Sequence, residues 1–361
     1  MVRDEDGSFW QGRSVTITGH TGFKGGWLAL WLHRLGAQVH GYALSPPTDP
    51  NLFSAARIPS LLASDQRADV ADADCLKSAL REAQPEVVFH LAAQPLVRES
   101  YRDPAGTLAT NVMGTTHLLE AVRETESVRA VVLITTDKVY ENREWVHPYR
   151  EVDRLGGRDP YSASKAAAEL VAASYRQSFF DEKQGSQVRL ATARAGNVIG
   201  GGDWARDRLV PDCLRAFAKG EPVALRFPGA VRPWQHVLEP LSGYLQLARQ
   251  LVEPEGGAWA KAWNFGPDVG GDAPVGEVAE SLARLWGEDA RVSLDPATEN
   301  PHEAHLLRLD HTLARQALGW QPRWSLHQAL TQTVAWQKAW LDNADMTAFS
   351  LAQIEAFGKP D

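Results

Sequence analysis

The chain has 361 residues, 44% hydrophobic and 23% charged, enough for a large buried core and for two domains or one domain with a lobe. A net charge of −8 argues against a general nucleic-acid surface, and two cysteines, Cys75 and Cys213, make neither a disulfide framework nor a metal quartet and fit a reducing cytoplasm. The opening Met-Val-Arg-Asp-Glu-Asp has no apolar stretch after its basic residue, so no signal peptide is expected, and no run approaches the ~18 apolar residues of a membrane span.

Ser14–Thr18 reads as a short buried strand, followed at once by Gly19-His20-Thr21-Gly22-Phe23-Lys24-Gly25 and by helical apolar spacing over residues 27–35. Strand, glycine turn and helix are the context a dinucleotide fingerprint requires, here with G-x-x-G-x-x-G spacing. The glycines let the backbone come close to a ligand, and a helix N-terminus attracts pyrophosphate. A second strand is expected over residues 39–44, a helix over 74–83, a strand over 87–90, a helix over 106–124 and a strand over 130–135. Pro160 marks a helix start, and that helix runs toward Phe180 before another strand at residues 188–194. This alternation predicts an α/β fold, a doubly wound parallel sheet of Rossmann type. After Gly200-Gly201-Gly202 the pattern turns irregular and rich in Pro and Trp. Residues 12–200 are therefore assigned to the nucleotide-binding domain, and residues 201–361 mainly to a smaller mixed α/β substrate-binding lobe.

Within the helix, Tyr161 and Lys165 stand at i and i+4 and share a face. A neighbouring ammonium favours phenolate, so Tyr161 is expected to have a lowered pKa and to act as base for an alcohol or sugar hydroxyl. Tyr-x-x-x-Lys alone is common on helices; its weight comes from the glycine turn before it and from Thr135-Thr136-Asp137-Lys138 at the end of a strand.

Gly19 to Gly25, His90-Leu91-Ala92-Ala93, Asn111 and the Tyr161–Lys165 pair resemble, in that order, the extended short-chain dehydrogenase/reductase superfamily. Within it, the glycine turn, Thr136-Asp137-Lys138-Val139-Tyr140-Glu141-Asn142 and Gly201-Gly202-Asp203-Trp204 are similar to the CDP-glucose 4,6-dehydratases. The relatives acting on dTDP-glucose typically carry Glu where this chain has Lys138. The resemblance implies that Gly19, Thr21, Gly22, Phe23, Lys24 and Gly25 hold the cofactor, with Asp69 and Val70 at the adenine and Leu91, Ala92, Ala93, Asn111, Tyr161 and Lys165 also in contact with it. It implies catalysis by Thr136, Asp137, Lys138, Tyr161 and Lys165, with Asp137 the acid and Lys138 in place of a glutamate base. It implies substrate contacts at Gln94, Asn197, Trp204, Arg208 and Arg232, with Trp234 as a further wall of the cytosine pocket. In the family, segments of the smaller lobe return to the sheet, and the chain pairs as a homodimer through the Tyr161 helix and its neighbour.

The expected activity is NAD-dependent dehydration of CDP-D-glucose: oxidation at C4, loss of water across C5 and C6, and hydride return to C6. NAD is preferred although residues 39–46 offer no carboxylate for the adenosine ribose and no Arg for a 2′-phosphate. Lysine is a base only when neutral, against a reference pKa of about 10.4. Lys138 is thus either the C5 base or a charged stabiliser of the enolate. The alternatives are a dTDP-glucose dehydratase, a nucleotide-sugar 4-epimerase and a non-catalytic nucleotide sensor; the first two share the engine, and the intact Tyr161–Lys165 pair argues against the third. His302, His305 and His311 are not read as a metal site, since no Cys or carboxylate is expected to complete one, and no metal, nucleic acid or membrane partner is expected.

Overall fold

The computed structural model describes residues 8–225, 227–268, 270–287, 290–294 and 305–359. Its strands in chain order are β1 (Ser14–Thr18), β2 (Gln38–Ala43), β3 (Ser64–Arg67), β4 (Val87–His90), β5 (Ala130–Ile134), β6 (Arg189–Ala195), β7 (Asn197–Ile199), β8 (Val223–Leu225), β9 (Val231–His236), β10 (Ala262–Phe265), β11 (Asp272–Pro274) and β12 (Val292–Leu294). Seven of them form one sheet in the order β3-β2-β1-β4-β5-β6-β10, every pair parallel. The doubly wound fold expected from the alternation is the fold the chain has.

Parallel strands covered by helices on both faces read as unbroken apolar runs. Val87–His90 and Ala130–Ile134 are buried at every position. Successive side chains still point to opposite faces. Phe89 and Val132 join a core with Trp27, Leu241 and Trp263, while Val88, Val131 and Leu133 join Leu76, Leu118 and Ala172 on the other side. Trp10, Trp27, Trp263 and Trp336 are fully buried, so these Trp side chains are packing.

The chain does not divide cleanly in sequence. β10 adds to the edge of the sheet beside β6, and the C-terminal helix Met346–Gly358 packs on the helix Phe23–Arg34 through Phe357 and Trp31, 5.6 Å apart edge to face. β7, β9 and β11 make a second small sheet, and β8 with β12 a third. Around them Val210, Leu214, Val278, Leu282 and Leu330 form a separate apolar core. β6 and β7 are joined only through Gly196, so the lobe sheet begins directly past the C-terminal end of a strand of the large sheet. A cleft between the two sheets thus opens where open α/β sheets place their ligands.

The stretch read as one helix over residues 106–124 is one helical run, widened in its middle. It consists of helix Pro104–Leu108, a π-helical segment Ala109–Met113 and helix Gly114–Arg123. Asn111 sits in the π segment, a widening often found at functional sites.

Candidate active site

A cleft of about 1140 Å³ runs from the glycine turn to the lobe. Ligand sites commonly span ~300–1,000 Å³, so this one has room for a dinucleotide and a nucleotide sugar together.

At one end, Gly19 takes φ +78°, and a Cβ there would lie 2.7 Å from the Ala92 backbone nitrogen. The turn can therefore approach the loop after β4 only as glycine. A Cβ at Gly25 would lie 2.2 Å from the Gly19 carbonyl oxygen, so the helix starts against the turn itself. Gly22 caps the helix Phe23–Arg34 without a side-chain hydrogen bond. The first-turn N–H groups thus have no side-chain acceptor and suit a pyrophosphate. Thr21 Oγ1 donates to the Leu44 carbonyl, 2.9 Å, and Tyr42 to that of Asp69, 2.8 Å, which fixes the strand ends beside the glycine turn.

No carboxylate stands at the end of β2, as expected. An arginine does stand beside it, missed because it belongs to β3: Arg67 lies opposite Ala43 and within 3.5 Å of the Leu44 carbonyl. Both ends of its guanidinium fork are taken by Asp65, at 2.8 and 2.9 Å, and its plane covers Phe53. It is therefore spent within the protein and offers no clamp for a 2′-phosphate. Asp65 also accepts from the buried His20 ring, 2.8 Å.

At the sheet centre the strand end of β5 turns inward. Thr136 caps the short 3₁₀ turn Asp137–Val139, accepting from the Lys138 N–H, while its hydroxyl donates to Asp137 Oδ1, 3.0 Å. Asp137 is 1% exposed, and its Oδ2 has no hydrogen-bond partner among the described residues. Burial raises its carboxyl above the ordinary range against the opposing pull of Lys138, Thr136, Arg232 and Lys24. The carboxyl thus tends to keep its proton, as an acid for a leaving hydroxyl must.

Tyr161 enters the cleft from the helix Pro160–Ser178, whose start is fixed by Pro160 and by Asp159 accepting from the Ser162 N–H, 2.9 Å. Its phenol is not lowered. Burial pushes it up to about 12, opposed by a hydrogen bond with Thr136 and by the Arg208 charge. The reason is visible in Lys165, whose ammonium donates to the Ile134 carbonyl, 3.1 Å. Burial pushes Lys165 down to about 8, against the field of Glu169. Lys24 reaches from the glycine turn into the same space and is pushed down to about 7 by burial and by Arg208 and Lys165.

In the lobe, Asn197 on β7 and Arg232 on β9 line the cleft, as do Trp204, Arg208 and Trp234. Arg208 ends its loop at the helix Leu209–Ala218 and donates to Asp203, 3.0 Å; burial weakens its charge, but Asp203 holds it. Trp204 packs edge to face on Trp336 and Trp340. Across the opening, Arg98 pairs with Asp207 at 3.1 Å.

Leu91, Ala92, Ala93, Asp69, Val70, Phe23 and Lys138 also line the cleft. Asn111 and Gln94 do not. Asn111 instead bonds the Gln94 backbone at both N–H and carbonyl and donates to Ser164 Oγ, 2.8 Å, while Gln94 closes on Leu96 and Thr107. The pair braces the loop after β4 against the Tyr161 helix. His302 and Glu303 lie outside the described residues, among which no three His, Cys, Asp or Glu side chains could hold a metal ion.

A buried pair that the sequence reading passed over lies behind the Tyr161 helix. Glu169 accepts from Arg194 at 2.9 Å on each oxygen, from Thr135 Oγ1 at 2.6 Å and from Thr192 Oγ1 at 2.7 Å. The signal was its place four residues beyond Lys165, on the same helix face.

The model of the GDP-mannose 4,6-dehydratase family matches residues 16–246. The chain belongs to this family. It is 51% identical over 354 residues to the CDP-glucose 4,6-dehydratase of Salmonella typhimurium, covering 98% of each chain. To the dTDP-glucose 4,6-dehydratase of Xanthomonas campestris pv. campestris it is 24% identical, over 80% of this chain and 84% of that one. Among solved structures, the UDP-glucose 4-epimerase of Thermus thermophilus in complex with NAD superposes with a TM-score of 0.75 at 26% identity, covering 90% of this chain and 98% of that one.

Proposed function

We infer that the protein is an NAD-dependent hydro-lyase that converts CDP-D-glucose to CDP-4-keto-6-deoxy-D-glucose. The observation that carries this reading is the 51% identity to the Salmonella enzyme across 98% of the chain. A buried acid beside the tyrosine supports dehydration over simple epimerisation, which has no hydroxyl to expel.

The glycine-turn N–H groups from Phe23 to Gly25 fit the pyrophosphate of NAD, and the strand ends at Leu44 and Asp69 its adenosine. When bound, NAD supplies a hydride acceptor at C4 that is restored within the same turnover. Once its phenol has given up its own proton, a form that the hydrogen bond with Thr136 and the nearby positive charge of Lys165 favour, Tyr161 takes the proton of the 4-hydroxyl. The C4 ketone makes the C5 proton acidic. Lys138 acts at C5, and Asp137 gives its proton to the departing C6 hydroxyl. Asn197, Arg208 and Arg232 serve the diphosphate, for which guanidinium forks are suited, and Trp204 and Trp234 the base. Asn111 and Gln94 act by holding the loop after β4.

The protein works as a homodimer in the cytoplasm. Leu108, Met113 and Leu170, on the Tyr161 helix and its neighbour, are 45%, 48% and 61% exposed, which supports a covered face there. Cys75 and Cys213 are both free, and no described helix is long and apolar enough to cross a membrane.

The test is incubation of the purified protein and NAD with CDP-glucose and dTDP-glucose in separate reactions. CDP-glucose should give the 4-keto-6-deoxy sugar without net NADH. Stoichiometric NADH, a C4 epimer as sole product, or a preference for dTDP-glucose would overturn the reading.

A further inference from the structure

Tyr161, Lys165 and Glu169 follow one another at every fourth residue, one stripe down one helix. The first two meet the cleft; the third is turned into the protein, 4% exposed, with both carboxylate oxygens filled. Its partners come from two strands. Thr135 is the residue before the catalytic turn of Thr136, Asp137 and Lys138, and Thr192 and Arg194 belong to β6. Arg194 goes further: it donates to the Tyr140 hydroxyl, 2.8 Å, and to the Glu151 carbonyl, 3.2 Å. Tyr140 follows that same turn and donates to Asn264 on β10, 2.7 Å. One ion pair therefore touches the helix of the oxidation step and both flanks of the turn of the elimination step.

We propose that Glu169 is a positioning residue of this dehydration: paired with Arg194 it locks the Tyr161–Lys165 helix to the Thr136–Lys138 turn, and it sets a buried negative charge one helical turn from Lys165. The proposal rests on the dehydratase reading for the reaction it serves, but not for the contacts.

The groups around Lys165 leave the support of its charge to Glu169. Lys24, from the glycine turn, repels the ammonium. His90, from the end of β4, is buried between Thr18 and Thr115 and held down to about 3, so it is neutral. Tyr161, on the same helix, is pushed up to about 12 and is neutral too. Burial opposes the charge, and Glu169 supports it. The Ile134 carbonyl gives a dipole but no charge. A well-packed apolar pair, or a hydrogen-bonded neutral pair, would hold the helix equally well, since buried ion pairs are often replaceable without loss of stability. What such a replacement would not supply is the field at Lys165.

The test compares Glu169→Gln, Glu169→Asp and the double variant Glu169→Gln/Arg194→Met with the parent protein. Two things are measured: the basic limb of the pH profile of kcat for CDP-glucose, and the titration of Lys165 by NMR of protein labelled with ¹³C at the lysine ε carbon, without NAD, assigned by loss of the signal in Lys165→Met. An opposite charge at close range is worth about 1–3 pH units. Glu169→Gln should move both the limb and the Lys165 titration down by about that much. Glu169→Asp keeps the charge and should keep both near their parent positions, whatever its rate. The double variant leaves no buried arginine unpaired, so it answers the question where the single change fails to fold; because it removes the Arg194 cation with the carboxylate, its Lys165 should titrate lower by less than in Glu169→Gln. A folded Gln or double variant with Lys165 and the basic limb unmoved overturns the proposal. A parent protein that does not dehydrate CDP-glucose overturns the functional reading instead, while the NMR titration still decides the link between Glu169 and Lys165.

Discussion

Asp137→Asn separates oxidation from elimination. The carboxyl is 1% exposed, accepts from Thr136 through Oδ1 and leaves Oδ2 without a partner among the described residues. Asparagine has nearly the same shape and keeps an oxygen for Thr136, so the turn should survive. What it lacks is a proton acidic enough for the C6 hydroxyl. Loss of a general acid typically costs about 10²–10⁴-fold, or about 2.7–5.4 kcal/mol of barrier. The cost should fall on water loss alone, because the 4-hydroxyl meets Tyr161 and Thr136. In a single turnover followed by NADH fluorescence and rapid quench, the variant should accumulate bound NADH and a 4-keto-glucose that still carries its C6 hydroxyl. Stability should move the other way. A carboxyl whose folded pKa is raised favours the fold below its unfolded pKa and loses that favour as pH rises through the folded one. At neutral pH the change to Asn should therefore hold or raise Tm. If Asp137→Asn abolishes C4 oxidation as completely as loss of Tyr161 does, with fold and NAD binding intact, the division of labour is wrong.

Tyr161→Phe should lower turnover by about 10²–10⁴-fold while CDP-glucose still binds, as calorimetry would detect; near-normal turnover would misplace the base. Lys138→Glu should keep measurable dehydration if the amine is the C5 base and lose nearly all of it if Lys138 acts as a cation, which product analysis reads directly. Lys24→Met should raise Tm, by more at pH 6 than at pH 9. The lowered lysine pKa of about 7 means that the folded state bears the cost of the charge in full below that pH and progressively less above it. Thermal melts at the two pH values check the sign, and a gain that grows toward pH 9 refutes it.

The central strands were legible because burial on both faces removes every polar residue from them, as in Val87–Phe89 and Ala130–Ile134. β3 was not. Ser64–Arg67 is polar throughout and lies at the sheet edge, held by backbone pairing to β2. With that strand unplaced, Arg67 could not be seen beside the end of β2. The π segment at Ala109–Met113 was hidden for a related reason: its apolar spacing is helical on either side, and the bonds that Asn111 makes inside it to Gln94 and Ser164 are set by tertiary packing.

Motif residues and their electrostatics differ in the same way. The spacing of Tyr161 and Lys165 put them on one face, and they are there. The sign of the tyrosine shift did not follow, because spacing says nothing about how much water a phenol loses or where an ammonium turns. Lys165 turns to Ile134, and desolvation then outweighs attraction. The buried cations and acids make one balance: Lys24 and Lys165 are lowered, Asp137 is raised, and each is a neighbour in the field of another. A site of this kind holds charge poorly by itself, and groups that must exchange protons within one turnover gain from that. The charge it does hold is fixed from behind, by a carboxylate whose partner lies on β6. Helix periodicity reveals Glu169; only the sheet register, with Ala130 opposite Arg189 and Ile134 opposite Ala193, brings Arg194 to it.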